Sequence, residues 1–126
     1  MSSTTRFETA SLTTLHWIGV GLALVTGVIH LAIGVQYIDT LQGVSFVLAG
    51  IAFGVAVLLF LLDYRRRLLY LVGIPFTAVQ VVLYFSLNWP NVVSPAGLGD
   101  KVVQVTLIAV LVTLYRRESS ATHATR

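Results

Sequence analysis

The sequence predicts an all-α integral membrane protein, an antiparallel four-helix bundle with both termini in the cytoplasm. Of its 126 residues, 56% are hydrophobic and only 10% are charged, and the mean hydropathy is +0.88. A soluble domain carries about a quarter charged residues, so this chain has too few to cover a water-facing surface. Four apolar stretches each approach the roughly 20 residues that a spanning helix needs. Such a chain forms one domain.

The predicted elements follow one another with short polar breaks between them. The four spans cover residues 12–35, 41–62, 68–87 and 98–115. The first is longer than a signal-peptide core and lacks a small-residue cleavage site, so we expect it to remain in the protein. Flexible cytoplasmic tails are expected at residues 1–11 and 118–126, which are short and polar.

The breaks between the spans are chemical as well as compositional. Asp39 and Thr40 end the first span, and an arginine-rich turn at residues 63–67 ends the second. The longest loop contains Pro90 and Pro95. Because proline and glycine interrupt regular structure, this loop is expected to delay the fourth helix until about residue 98.

The basic residues predict the orientation. Lys101 is alone on one side of the predicted membrane, and seven arginines are on the other: Arg6, Arg65, Arg66, Arg67, Arg116, Arg117 and Arg126. The positive-inside rule places the arginine side in the cytoplasm of a multi-pass protein of the cell membrane. Membrane topology thus explains the net charge of +3, and no nucleic-acid partner is expected.

Small residues repeat along the first two spans. They are Gly19, Ala23, Gly27 and Gly34 in the first, and Gly50 and Gly54 in the second. Such stripes let membrane helices pack closely. The expected partners are therefore the lipid bilayer and a homodimer or another membrane subunit.

Two histidines lie in the first span. His16 and His30 are about 40° apart around a helix and roughly 21 Å apart along it. This spacing resembles the paired histidines of b-type cytochromes, which implies haem b held by both residues. No other span contains histidine, so haem would require a homodimer with two first spans face to face. The interpretation that the sequence favours has no cofactor: the small residues pack helices and the histidines form ordinary hydrogen bonds.

Polar residues gather in the predicted outer half of the bundle. They are His30 in the first span, Gln80 and Tyr84 in the third, and Asp100 and Gln104 in the fourth. Gln80 and Gln104 have similar depths, which predicts a hydrogen bond worth about 1 kcal/mol between them. The five residues could form an outward-opening pocket for a small molecule or a proton. Alternatively they form structural hydrogen bonds, with Asp100 as a first-turn anion of the fourth helix.

Motifs of catalysis are missing from the sequence. It has no cysteine, no G-x-x-x-x-G-K-[ST], no H-E-x-x-H and no G-x-S-x-G, so we expect no catalytic residue, no metal site and no enzyme activity. No Asp, Glu, Lys or Arg is expected at mid-span, which disfavours a coupled transporter. A small transporter or an oligomeric pore remains as an alternative.

Four short stretches carry a family resemblance. They are LHWIG at 15–19, VTGVIH at 25–30, GIPFT at 73–77 and DKVVQ at 100–104. With the spans placed, the chain resembles small four-helix membrane proteins of unknown function from halophilic archaea, and the excess of arginine over lysine agrees. The resemblance implies a location and a fold. The leading hypothesis is a non-enzymatic accessory or self-associating helical bundle with a polar pocket.

Overall fold

The computed structural model describes residues 7–124, and side chains as far as residue 120. Within that range the chain forms four helices and no strand: α1 Thr14–Gln36, α2 Leu41–Leu61, α3 Arg66–Asn88 and α4 Pro95–Ala124. Each is long and apolar enough to cross a membrane. The predicted all-α class is confirmed, and each predicted span falls on one helix. Residues 1–6 and 125–126 of the predicted tails, with Arg6 and Arg126, lie outside the described residues.

The fourth helix is longer than the sequence suggests. It begins at Pro95 and runs to Ala124, into the segment predicted as a tail. Ser94 Oγ accepts a hydrogen bond from the Gly97 N–H at 3.1 Å, which is how a serine caps a helix. Proline suits the first helical position because its missing N–H would have no partner there. Pro95 therefore starts the helix rather than delaying it. As a result Asp100 lies beyond the first turn, which contradicts its interpretation as a first-turn anion of the fourth helix.

Glycines bring α1 and α2 into close contact. A Cβ atom on Gly34 would lie 2.7 Å from the Val47 backbone nitrogen, and one on Gly50 would lie 2.8 Å from the Gly27 carbonyl oxygen. Real Cβ atoms do not approach backbone atoms so closely. The α1–α2 interface therefore depends on these three glycines, as small-residue stripes in membranes do.

The other small residues of the stripes contribute differently. Gly19 faces α4, where an added Cβ would lie 3.2 Å from Val110 Cγ1. Gly54 has no atom within 4 Å of such a Cβ, so it does not pack in the way that the sequence predicts. Ala23 lines an apolar cavity inside the bundle.

The helices form an incomplete ring. α1 packs against α2 and α4, and α4 packs against α3, whereas α2 and α3 touch only sparsely. The buried apolar core contains Phe60, Tyr70, Val110 and Leu114. The bundle is therefore closed on three sides and thinly closed between α2 and α3.

One end of the bundle, which we name the arginine end, carries Arg65, Arg66, Arg67, Arg116 and Arg117. Arg66 donates from Nε to the Phe60 carbonyl oxygen at 2.8 Å and from Nη2 to the Glu8 carbonyl oxygen. Arg67 Nη2 donates to Ser119 Oγ at 3.0 Å. Arginine at the last carbonyls of a helix satisfies acceptors that the helix leaves free. These contacts tie the start of α3 to the end of α2, to the N-terminal segment and to α4.

Candidate functional site

An ion pair is buried between α1 and α4. Asp100 is 4% exposed and Lys101 is 7% exposed, and Lys101 Nζ lies 3.0 Å from Asp100 Oδ2. The Thr26 hydroxyl of α1 donates to Asp100 Oδ1 at 2.6 Å. Each carboxylate oxygen therefore has its own donor. Buried charges are tolerated in this arrangement, paired with an opposite charge and hydrogen-bonded.

The hydrogen bonds continue from Lys101 into α3. Lys101 Nζ donates to Gln104 Oε1 at 2.5 Å, and Gln104 Nε2 donates to Gln80 Oε1 at 2.7 Å. Gln80 Nε2 then donates to the Phe76 carbonyl oxygen at 3.0 Å. The structure thus contains the Gln80–Gln104 bond that similar depth predicts. This chain links three helices, because it starts on α1, crosses α4 and ends on α3.

His30 completes the cluster from α1. Its Nδ1 lies 2.8 Å from the Thr26 carbonyl oxygen and 3.9 Å from Asp100 Oδ2. A carbonyl oxygen only accepts hydrogen bonds, so Nδ1 is the donor and carries a proton. The ring packs beside Phe46 at 5.0 Å and Phe53 at 6.0 Å between centroids. We use the name polar cluster for this set: Thr26, His30, Gln80, Asp100, Lys101 and Gln104.

Tyr84 borders the polar cluster but directs its hydroxyl elsewhere. The hydroxyl donates to the Val92 carbonyl oxygen in the loop before α4, at 2.6 Å. Lys101 Nζ lies 5.3 Å from the centre of the Tyr84 ring, within cation–π range. Tyr84 therefore covers the buried ammonium with its ring face and fixes the loop with its oxygen.

The structure brings the predicted polar residues together, but as a packed cluster. Two cavities among the described residues have volumes of about 210 and 250 Å³, and neither is lined by Tyr84 or by the polar cluster. The side chains of the cluster bond to one another or to backbone carbonyls, which occupies the space that the predicted outward-opening pocket would need. This differs from the sequence-based expectation.

The ion pair lies deeper in the bundle than the sequence suggests. Thr26, which bonds to Asp100, is near the middle of α1. The ion pair, although only in the second turn of α4, therefore lies level with the middle of α1. Ionisable side chains at such depth are costly unless paired, and they mark sites of structural or functional importance.

His16 has a different environment from His30. It lies in the first turn of α1, where its Nδ1 accepts a hydrogen bond from the Thr13 N–H at 3.0 Å, and its ring stacks on Phe60 with centroids 5.9 Å apart. The face of α1 that carries Gly27 and Gly34 is covered by α2 of the same chain. Two α1 helices could meet face to face there only if this packing opened. No group of three metal-ligating side chains occurs within the described part of the chain.

Sequence reasoning missed Thr26 and Lys101 as members of the cluster. Thr26 lies one helical turn before His30, so the two share a face, which was an available signal. Lys101 follows Asp100 directly, and neighbouring residues on a helix diverge by about 100°. Their pairing depends on the long lysine side chain and could not be read from spacing.

The comparisons with known proteins give a family without an activity. A family model matches residues 1–115, and the family it describes is one of unknown function. No curated protein matches the chain. No solved structure matches it either.

Proposed function

The chain belongs to the family of unknown function DUF7475, and from this premise we propose that it is a non-enzymatic accessory protein of the cell membrane. Its apolar helices support a multi-pass membrane protein. The observation that carries the proposal is the closed polar cluster, whose buried ion pair bonds within the protein. Such a cluster fixes helix positions in a membrane, where unpaired polar groups are costly.

The distribution of charge supports an orientation with both termini in the cytoplasm. Five arginines lie at the arginine end, on the turn after α2, on the first turn of α3 and on α4. Lys101, the one basic residue expected on the opposite side, is buried and paired with Asp100. It therefore adds little positive charge to an outer loop. The difference in exposed positive charge between the two ends, on which the positive-inside rule depends, is therefore larger than the residue count alone suggests.

The packing of the glycines favours an accessory role over self-association. Gly27, Gly34 and Gly50 are in contact inside one chain, so they are not available for a homodimer. Large apolar side chains remain exposed along all four described helices. In a membrane these face lipid or another membrane subunit, and we place the partner there. The excess of arginine over lysine supports a halophilic archaeal source as part of the same proposal.

Purification from the native membrane in a mild detergent tests this proposal. We expect the tagged chain to elute with another membrane protein at a fixed ratio, and to contain one copy of itself per complex by light scattering. Elution as a homodimer without another protein would support self-association instead. Elution as a lone monomer would contradict both.

The same preparation tests the haem alternative. We expect no haem band in a reduced-minus-oxidised spectrum, because aromatic rings and α2 occupy the face of α1 around His30. A Soret band that disappears in His30→Ala, with the helical circular dichroism unchanged, would establish the b-type cytochrome instead. A small transporter or pore would need a polar path, whereas the cavity of about 210 Å³ is almost wholly apolar.

A further inference from the structure

The apolar cavity of about 210 Å³ lies in the half of the bundle nearer the arginine end. All four described helices line it, α1 through Ala23, α2 through Ala56, α3 through Gly73 and α4 through Leu111. An apolar cavity of about 150 Å³ in a soluble protein stays dry and binds benzene. This cavity is therefore large enough for an aromatic ring, and its walls favour an apolar occupant over water.

The cavity has a side entrance from the lipid. Two aromatic pairs bridge α2 and α3 at different depths: Phe53 with Phe76, 5.3 Å between centroids, and Phe60 with Tyr70, 6.2 Å between centroids. The pairs are about two helical turns apart on each helix, roughly 10 Å. Between them the cavity is lined by Ala56 and Val57 of α2 and by Val72 and Gly73 of α3, none of which is aromatic. Because α2 and α3 touch sparsely, the gap between the pairs forms a window.

Two wall residues, Tyr70 and Thr77, have buried hydroxyl groups outside the network of hydrogen bonds described above. The Tyr70 hydroxyl has the Glu118 side chain as a neighbour. Thr77, the middle residue of α3, is 0% exposed and lines the cavity, and its Oγ1 has no hydrogen-bond partner among the described residues. Thr106 and Thr113 of α4 instead donate to the carbonyl oxygens four residues earlier, each at 2.8 Å. Thr77 lacks this common local bond. Buried polar groups without partners are rare in proteins and call for an explanation such as a missing ligand.

We propose that this cavity binds a flat aromatic carbonyl compound, such as a membrane-soluble quinone, which enters between α2 and α3 and accepts a hydrogen bond from Thr77 Oγ1. The ring fits the apolar walls, and the carbonyl oxygen supplies the acceptor that Thr77 lacks. A hydrocarbon tail of a lipid would fill the same space without satisfying the hydroxyl. The window admits molecules dissolved in the bilayer without opening either end of the bundle.

Two probes distinguish the contribution of the aromatic ring to binding from that of the carbonyl group. Menadione is a methylnaphthoquinone, and 2-methylnaphthalene has the same fused ring system without carbonyl groups. Binding is measured on the full chain in detergent from the rise in unfolding temperature with ligand concentration, since a ligand of the native state stabilises it. We expect wild-type protein to bind menadione about fivefold more tightly than Thr77→Val does, which corresponds to one hydrogen bond.

Three controls make the comparison specific. Thr77→Val keeps the branched shape, so its binding of 2-methylnaphthalene is expected to stay unchanged. Thr106→Val removes an exposed hydroxyl that bonds locally and is expected to bind both probes like wild type. Ala56→Phe places a ring in the window and is expected to lose both probes. Comparison between variants at the same detergent concentration cancels the partition of each probe into micelles.

Two results would overturn the inference. The first is that neither probe raises the unfolding temperature of the wild-type protein, which would mean that the cavity is not a binding site. The second is that Thr77→Val binds menadione as tightly as wild type does, which would remove the role of the hydroxyl. If Ala56→Phe fails to fold, the difference in menadione binding between wild type and Thr77→Val still tests the proposal.

Discussion

Asp100 and Lys101 depend on each other because both are almost wholly buried. Removing either side chain leaves the other charge inside the bundle without its partner, which costs about 3–5 kcal/mol for a buried pair. Replacing both by apolar residues removes the desolvation penalty together with the attraction. The pair therefore contributes less to stability than either single substitution suggests.

A double-mutant cycle measures this dependence. We expect Asp100→Leu and Lys101→Met each to lower the free energy of unfolding by about 3–5 kcal/mol, and the double variant to recover most of that loss. Asp39→Leu, at an exposed acid outside the helices, is the control and is expected to change it by less than about 0.5 kcal/mol. Additive losses in the double variant would show that the pair is not coupled.

At the scale of single residues, the sequence does not predict which contacts form when they depend on how far a side chain extends. Depth and helical face suffice to predict the Gln80–Gln104 bond, because both residues point from neighbouring helices at one level. The Thr26–Asp100 bond could not be predicted in the same way. It requires that α1 pack on α4, which a list of spans does not specify. The cluster also fills its own space, which only side-chain positions can reveal.

At the scale of elements, α1 and α2 form the tightest pair, since backbone touches backbone along Gly27, Gly34 and Gly50. Membrane helices that approach so closely gain van der Waals contact in place of the hydrophobic effect, which lipid does not supply. A single methyl group at the closest point would force the helices apart.

Two glycine-to-alanine substitutions test this interface. Gly34→Ala is expected to lower the free energy of unfolding by about 1–3 kcal/mol, because the new Cβ would meet the backbone of α2. Gly54→Ala meets open space and is expected to be neutral or to stabilise by up to about 1 kcal/mol, as alanine favours helix. Unfolding in a denaturing detergent measures both. Equal effects would contradict the assignment of the interface.

Helix starts are the part of the elements that the sequence predicts least well. Apolar length fixes the existence and order of the helices, since each predicted span falls on one of them. A serine followed by proline can either close a loop or open a helix. A helix that starts at Pro95 rather than near residue 98 has Asp100 about one turn further from its N-terminus. Asp100 then lies in the buried interface with α1 rather than at a solvent-facing cap.

For the whole molecule, the orientation proposed from the arginines has a direct test. The chain contains no cysteine, so single cysteines can be introduced at exposed positions in each end. A membrane-impermeant maleimide is expected to label Asn91→Cys in intact cells, and to label Ser120→Cys only after the membrane is opened. The reverse pattern would invert the topology. Labelling of both sites in intact cells would contradict a closed membrane orientation.

The sparse contact between α2 and α3 also bears on how the protein is made. The chain consists of two hairpins, α1 with α2 and α3 with α4, which meet mainly where α1 lies against α4. If the chain spans a membrane as proposed, each hairpin can enter the bilayer as a unit during synthesis. Asp100 can reach Thr26 only after the second hairpin has arrived, so the polar cluster forms only when the two hairpins dock.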